Sequence, residues 1–407
     1  MSTPNQSASY DINLPNAHVI RDDEEAIAVA HKIAALLRDG AAERDRSRHV
    51  PAALVNAYSD SGLWGITVPR AYGGAEVSFA TLARVIAIVS AADPSLGQIP
   101  QNHYCLLEDI RLQGSEEQKC YFFDLVLKGH RFANALSETG GKTVQDQSTR
   151  LVAQGDTYRI DGRKGYCTGS LYAHWLGVLA LDESDRAQIA FVPRGTPGLI
   201  ILDDWDSIGQ RTTSSGTVVL EGLQVPAFNL FPSYRSYESP TLAGPFAQLT
   251  TAAIDAGIGR AALDDTIRFV RDHARPWIDA ASPRASEDPL TIQQIGNLEI
   301  RQEAAEALLE RAGQVLDRAK PAPDEDSVAL ASVAVARAKV LTTEAAIEAT
   351  NRLFELGGTR SSLAHHGFDR HWRNARVHTL HDPVRWKIQL VGNWALNGVK
   401  PARHDWN

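Results

Sequence analysis

The chain has 407 residues, of which 43% are apolar and 22% charged, and a formal net charge of −8. That length predicts two to three domains with ample core, and the composition excludes a disordered, collagen-like or disulfide-scaffold protein. The acidic balance argues against nucleic-acid or anionic-membrane binding.

Residues 1–25 are polar and end in Asp22, Asp23, Glu24 and Glu25, without the basic and apolar regions of a secretory signal. Ile27, Ile33 and Leu37 then stand at helical spacing behind that acidic start. Pro51 opens a second helix, and Gly62, Pro69, Gly73 and Gly74 break the chain into turns. Helical texture follows over 81–91, 106–113 and 116–128. From 149 to 164 the pattern alternates around Gly155-Asp156, which predicts a hairpin with Leu151, Ala153, Tyr158 and Ile160 on its strands. Further strands are expected at 175–181, 188–192, 199–202 and 217–225, and evenly spaced turns suggest a small β-sandwich or open barrel. Long helices are expected over 246–273, 291–318, 325–356 and 383–396, which favours an antiparallel bundle. The run 175–181 is the longest that is wholly apolar or glycine, far short of the ~20 residues that span a bilayer. The expected class is α+β: an N-terminal helical domain (1–132), a middle β domain (133–235) and a C-terminal four-helix bundle (236–407).

Polar clusters carry the candidate chemistry. Five of the 13 histidines (His365, His366, His371, His378, His381) fall between 357 and 383, together with Gly357, Gly358, Thr359, Arg360 and Asp382. A solvated interhelix loop is the plain reading of this stretch. Metal binding is poorly supported, because no carboxylate or thiol pattern completes a ligand set around His378 and His381. As an anion site it has free backbone at the glycines and donors at Thr359 and Arg360. Asp382 before Pro383 reads as a helix N-cap. The strings at 134–142, 162–170 and 203–216 read singly as turns, and Trp205 as partial core. Cys105, Cys120 and Cys167 form no CxxC pair, which fits a reducing compartment, and Cys167 reads as a packing residue.

Taken in order, these strings resemble the acyl-CoA dehydrogenase superfamily. They are E-R-D-R at 43–46, V-P-R-A-Y-G-G at 68–74, A-A-D-P-S-L-G at 91–97, A-L-S-E-T-G-G at 135–141, G-R-K-x-Y-C-T-G at 162–169 and I-G-x-R-x-T-x-S-G at 208–216. The resemblance implies helical domain, β domain and bundle, a flavin between the last two, and often a homotetramer. A-R-P-W at 274–277, F-D-R-H-W-R-N at 368–374 and H-T-L-H-D-P at 378–383 look like its flavin-dependent monooxygenases of sulfur acquisition. Where the dehydrogenases carry a glutamate base, this chain reads Asp382, and the alternative glutamate position reads Ala247.

The resemblance implies a flavin hydroperoxide flanked by His103 and His381, with His378 beside them and Thr168 as a hydroxyl neighbour. It implies Asn134, Ser137, Thr139, Lys164, Thr168 and Trp205 along the flavin ring, and Arg275, Thr359 and Arg360 on the phosphate, with Arg275 reaching from another subunit. The cofactor expected is reduced FMN from a separate flavin reductase, because no G-x-G-x-x-G follows a strand. The remaining partners expected are dioxygen and a small organosulfur substrate, in the cytoplasm, with no nucleic acid and no membrane. Two alternatives stay open at this point: an acyl-CoA dehydrogenase with FAD and Asp382 as base, and a flavin-fold subunit without catalysis.

Overall fold

The computed structural model describes residues 17–143 and 146–407, so the polar start read over 1–25 lies outside it up to residue 16. Six helices come first: α1 (Asp23–Arg38), α2 (Ala41–Ser47), α3 (Ala52–Asp60), α4 (Phe79–Ala92), α5 (Pro94–Gln113) and α6 (Glu116–Leu127). The Asp22 side chain caps α1 by accepting from Glu25 N, and Ala26, Ala30, Ile33 and Leu37 form its buried stripe. Pro51 precedes α3 as expected. Helix α5 starts twelve residues before the expected 106. Pro94, Gly97 and Pro100 read as breakers, yet Pro94 sits in the first turn, where no N–H partner is needed, and Asp93 caps the helix. Pro100 lies inside, where burial of Leu96, Ile99, Tyr104 and Leu107 holds the turn.

Strands β1 (Phe132–Ala135), β2 (Arg150–Gln154), β3 (Thr157–Lys164), β4 (Trp175–Leu181), β5 (Ala187–Pro193), β6 (Leu199–Ile201), β7 (Val218–Pro226) and β8 (Leu230–Phe231) follow. They form one mixed sheet in the order β6-β7-β3-β2-β4-β5-β8, with β1 parallel to β4. The β2–β3 hairpin pairs Leu151 with Ile160 and Ala153 with Tyr158 around Gly155-Asp156.

Helices α7 (Ala243–Asp272), α8 (Pro289–Ala319), α9 (Glu325–Gly357), α10 (Asp369–His378) and α11 (Arg385–Asn397) complete the chain. Helix α10 occupies part of the stretch read as an interhelix loop. Only His371, Asn374, Ala375 and His378 are buried along it, so its inward face is polar and gives no apolar period. Helices α4, α5 and α7 meet at Ser90. A β-carbon at Gly97 would lie 2.9 Å, and one at Gly257 2.7 Å, from Ser90 Cβ. One apolar cluster runs through all three parts, from Leu82 and Ile86 on α4 through Val178 on β4 to Leu249 on α7 and Val335 on α9. Among the described residues no helix is long and apolar enough to cross a membrane.

Candidate active site

Helix α5 carries three carboxamides at helical spacing, each tied to a different element. Gln101 Nε2 donates to Thr251 Oγ1 on α7 at 3.3 Å, and Asn102 Nδ2 donates to Asn134 Oδ1 on β1 at 3.1 Å. Gln210 Nε2 in the 208–216 loop donates to Gln98 Oε1 at 2.9 Å. The Asn134 amide is thereby oriented, with Nδ2 donating to Tyr166 O at 3.3 Å.

A hydroxyl ladder continues the seam. Thr168 Oγ1 and Ser215 Oγ lie 2.8 Å apart, and Ser215 Oγ and Thr213 Oγ1 2.7 Å. Thr213 Oγ1 and Trp205 Nε1 both donate to Gln210 O, at 3.0 and 2.9 Å. Tyr166, Gln210 and Ser214 all have positive φ without being glycine. Such backbone persists only where its surroundings hold it, and it clusters at functional sites. Here the holders are identifiable: Asn374 Oδ1 accepts from Gln210 N at 2.7 Å and Arg373 Nη1 donates to Ile208 O at 2.8 Å. Gly209 leaves no alternative, since a β-carbon there would lie 2.0 Å from Arg373 O. The family-like strings lock into one another as well. Arg44 pairs with Asp93 at 2.9 Å, and Asp45 takes the Arg373 guanidinium.

The turn after α10 holds the histidines. His378 is buried, and its Nδ1 donates to Asp255 Oδ1 on α7 at 2.5 Å. His381 is partly exposed, with 42% of its side chain accessible. Asp382 does not cap α11, as the sequence suggests. That helix begins at Arg385 with Val384 before it and no side-chain cap. The buried Asp382 carboxylate instead lies 2.9 Å from Lys339 Nζ and 3.5 Å from Lys387 Nζ.

Three expected ring neighbours lie together on this seam: Asn134, Thr168 and Trp205. Ser137 borders it through its carbonyl, which accepts from Gly165 N at 3.0 Å, and Thr139 lies exposed over Gly165. Lys164 is not free for a ring. It is fully buried and its Nζ donates to Glu138 Oε1 at 2.7 Å and Gln147 Oε1 at 2.6 Å. His103 is likewise engaged at both ring nitrogens. Its Nδ1 accepts from Phe132 N at 3.1 Å, and its Nε2 faces Trp64 O at 2.9 Å. Burial pushes its pKa down to about 3, so the ring is neutral. His103 therefore joins α5 to β1 and offers no donor to the cleft. Arg275 and Thr359 are exposed, and exposed Arg360 donates to His273 O at 3.1 Å beside the end of α7. Cys167 is fully buried, and burial pushes its thiol up to about 12, as a packing residue requires. The sequence reading missed Gln98, Gln101, Asn102, Gln210, Ser215 and Asp255. The 98–101–102 spacing is a helical face, but Pro100 hides it.

Family profiles for the N-terminal, middle and C-terminal domains of acyl-CoA dehydrogenase match residues 23–130, 133–223 and 249–386. The chain is 32% identical over 399 residues to the probable FMNH2-dependent monooxygenase SfnC of Pseudomonas putida, covering 95% of this chain and 98% of that one. It is 33% identical over 396 residues to the dibenzothiophene monooxygenase of Rhodococcus erythropolis, covering 93% and 95%. The FMN-bound crystal structure of TdsC from Paenibacillus sp. A11-2 superposes with a TM-score of 0.90 at 32% identity, over 94% of this chain and all of that one. With profile matches along most of its length and relatives above 30% identity at near-full coverage, the chain belongs to the acyl-CoA dehydrogenase family, in its monooxygenase branch.

Proposed function

We propose that this protein is an FMNH2-dependent monooxygenase that transfers one atom of dioxygen to a small organosulfur compound. Reduced flavin comes from a separate reductase, and the working form is a cytoplasmic homotetramer. One observation carries the choice over an acyl-CoA dehydrogenase using FAD. Asp382, the carboxylate at the dehydrogenase base position, is occupied by two buried ammonium groups, and the other candidate position is Ala247. A base must reach the proton it removes with its lone pairs free, and neither position offers that.

The residues present fit a flavin mononucleotide. Asn134 and the hydroxyls of Thr168 and Ser215 offer a polar edge for a heterocycle, and Trp205 lies beside them with its indole N–H already satisfied. Arg275, Thr359 and Arg360 supply exposed donors suited to a single terminal phosphate. Bound reduced flavin supplies the two electrons that divide dioxygen between substrate and water. The protein's part is to orient the ring, exclude water and present a proton donor. Asn102 fixes Asn134, and Asn374 and Arg373 fix the 208–216 loop. His381 is the exposed donor at the rim. His103 supports the site from behind by fixing Phe132 at the start of β1.

His381→Ala tests the reading. FMN affinity by fluorescence titration is expected to hold, while sulfur oxygenation falls ~100-fold or more and oxygen uptake continues as hydrogen peroxide. Oxidation of acyl-CoA by the wild type, abolished in Asp382→Asn and spared in His381→Ala, would overturn it.

A further inference from the structure

Asp255 lies midway along α7 between Ile254 and Ala256 and is fully buried. Packing asks for no charge there, and a buried carboxylate is costly unless hydrogen-bonded on both oxygens. Both are used: Oδ1 accepts from His378 Nδ1 at 2.5 Å and Oδ2 from Thr343 Oγ1 on α9 at 2.9 Å. His378 and Thr343 are themselves buried, at 2% and 6% exposure.

We infer that Asp255 is a positioning residue for His381, acting through His378. His378 is the last residue of α10, and its carbonyl accepts the backbone N–H of His381 at 3.1 Å. The turn is thus pinned at both ends. Asp255 holds it to α7 at His378, and Lys339 and Lys387 hold it to α9 and α11 at Asp382. Between the pins, Leu380 and His381 are exposed. Two fixed neighbours leave His381 few backbone conformations, which is how a rim donor is kept at one distance from a bound ring. The carboxylate also selects the His378 proton: with Asp255 accepting, that proton resides on Nδ1, and the buried Nε2 has no hydrogen-bond partner among the described residues.

This inference rests on the monooxygenase reading, and the test separates the two. Full-length wild type, Asp255→Asn and Thr343→Val are compared by three measurements: ring-nitrogen NMR of labelled histidines, FMN titration, and product formed per dioxygen consumed. In the wild type His378 carries its proton on Nδ1. Asp255→Asn presents an amide that can donate to Nδ1, so the proton moves to Nε2 and the His381 signals shift. FMN affinity stays within threefold, and product per dioxygen falls fivefold or more. Thr343→Val, which removes the carboxylate's other bond, leaves the His378 tautomer in place and the product ratio within twofold. An unprotonated Nδ1 in the wild type overturns the inference even if Asp255→Asn does not fold. So do His381 signals unchanged in Asp255→Asn, or an equal loss of product in Thr343→Val. A wild type that makes only peroxide with every sulfur compound overturns the monooxygenase reading instead, and the NMR arms still decide the role of Asp255.

Discussion

Asp382 lies between two ammonium groups in a place with almost no water. Burial works against its ionisation, but the His381 ring, 3.8 Å away, and the Lys339 charge outweigh it and hold the carboxyl well below the usual carboxylate range. Burial dominates at Lys387 and pushes its ammonium down to about 8, with Asp382 opposing. Removing the one negative charge leaves two buried cations facing each other. Asp382→Asn is therefore expected to cost ~3–5 kcal/mol in denaturant unfolding, the scale of a broken buried pair and well above that of a lost helix cap. The pH dependence follows from the signs. Asp382, depressed in the fold, contributes fully at neutral pH and loses its contribution only as pH falls below its unfolded value of ~3.9. Lys387 is lowered from 10.5 to about 8, so between those values the unfolded chain binds more protons and stability rises with pH. Lys387→Met should flatten that rise in melts taken from pH 7 to 10. At this scale the sequence disclosed residue types and withheld their partners. The hydroxyl and amide at Thr168 and Asn134 could be picked out only through the family resemblance, because their strings read singly as turns. Nothing in the string distinguishes His103, bound on both nitrogens, from His381 at the rim. The lysines that claim Asp382 are 43 residues before it and 5 after it.

The elements that frame the site depend on a few close backbone approaches. Gly209 lets the 208–216 loop dock on α10, where a β-carbon would collide with Arg373 O at 2.0 Å. Gly209→Ala should push the loop outward and loosen the Gln210–Asn374 bond. It should lower FMN affinity at least tenfold in titrations, with a stability loss of ~1–3 kcal/mol. Gly257→Ala meets Ala87 O at 2.4 Å at the α4–α7 crossing. It should cost comparable stability by thermal melting while leaving FMN affinity nearly unchanged. The long helices and the strands could be read from period and turn residues, because most of each element's pattern comes from one buried face. The first half of helix α5 and the whole of α10 escaped for opposite reasons. Prolines obscure α5, though its packing tolerates them, and α10 buries His371, Asn374 and His378 in place of apolar side chains.

The whole molecule leaves much apolar surface uncovered around its C-terminal helices. Trp277 is 73% exposed and Ile278 88%, immediately after Arg275. Leu290 and Ile300 on α8, and Trp386 and Leu396 on α11, are also exposed. Large exposed side chains in such number mark surfaces that other chains cover, and they support the proposed homo-oligomer. In the proposed homo-oligomer, their proximity to Arg275 in the chain would couple assembly to cofactor binding. If the Arg275 guanidinium reaches the phosphate held by another subunit, breaking the contact around it must weaken FMN in every subunit. Ile278→Asp buries a charge in that contact and should shift the protein toward smaller species in sedimentation at micromolar concentration. FMN affinity should fall at least tenfold in parallel. Adding protein should restore both together, because the binding site then depends on mass action between subunits. A variant that sediments as a monomer yet binds FMN like the wild type would place the phosphate contact within one chain, on Thr359 and Arg360 alone.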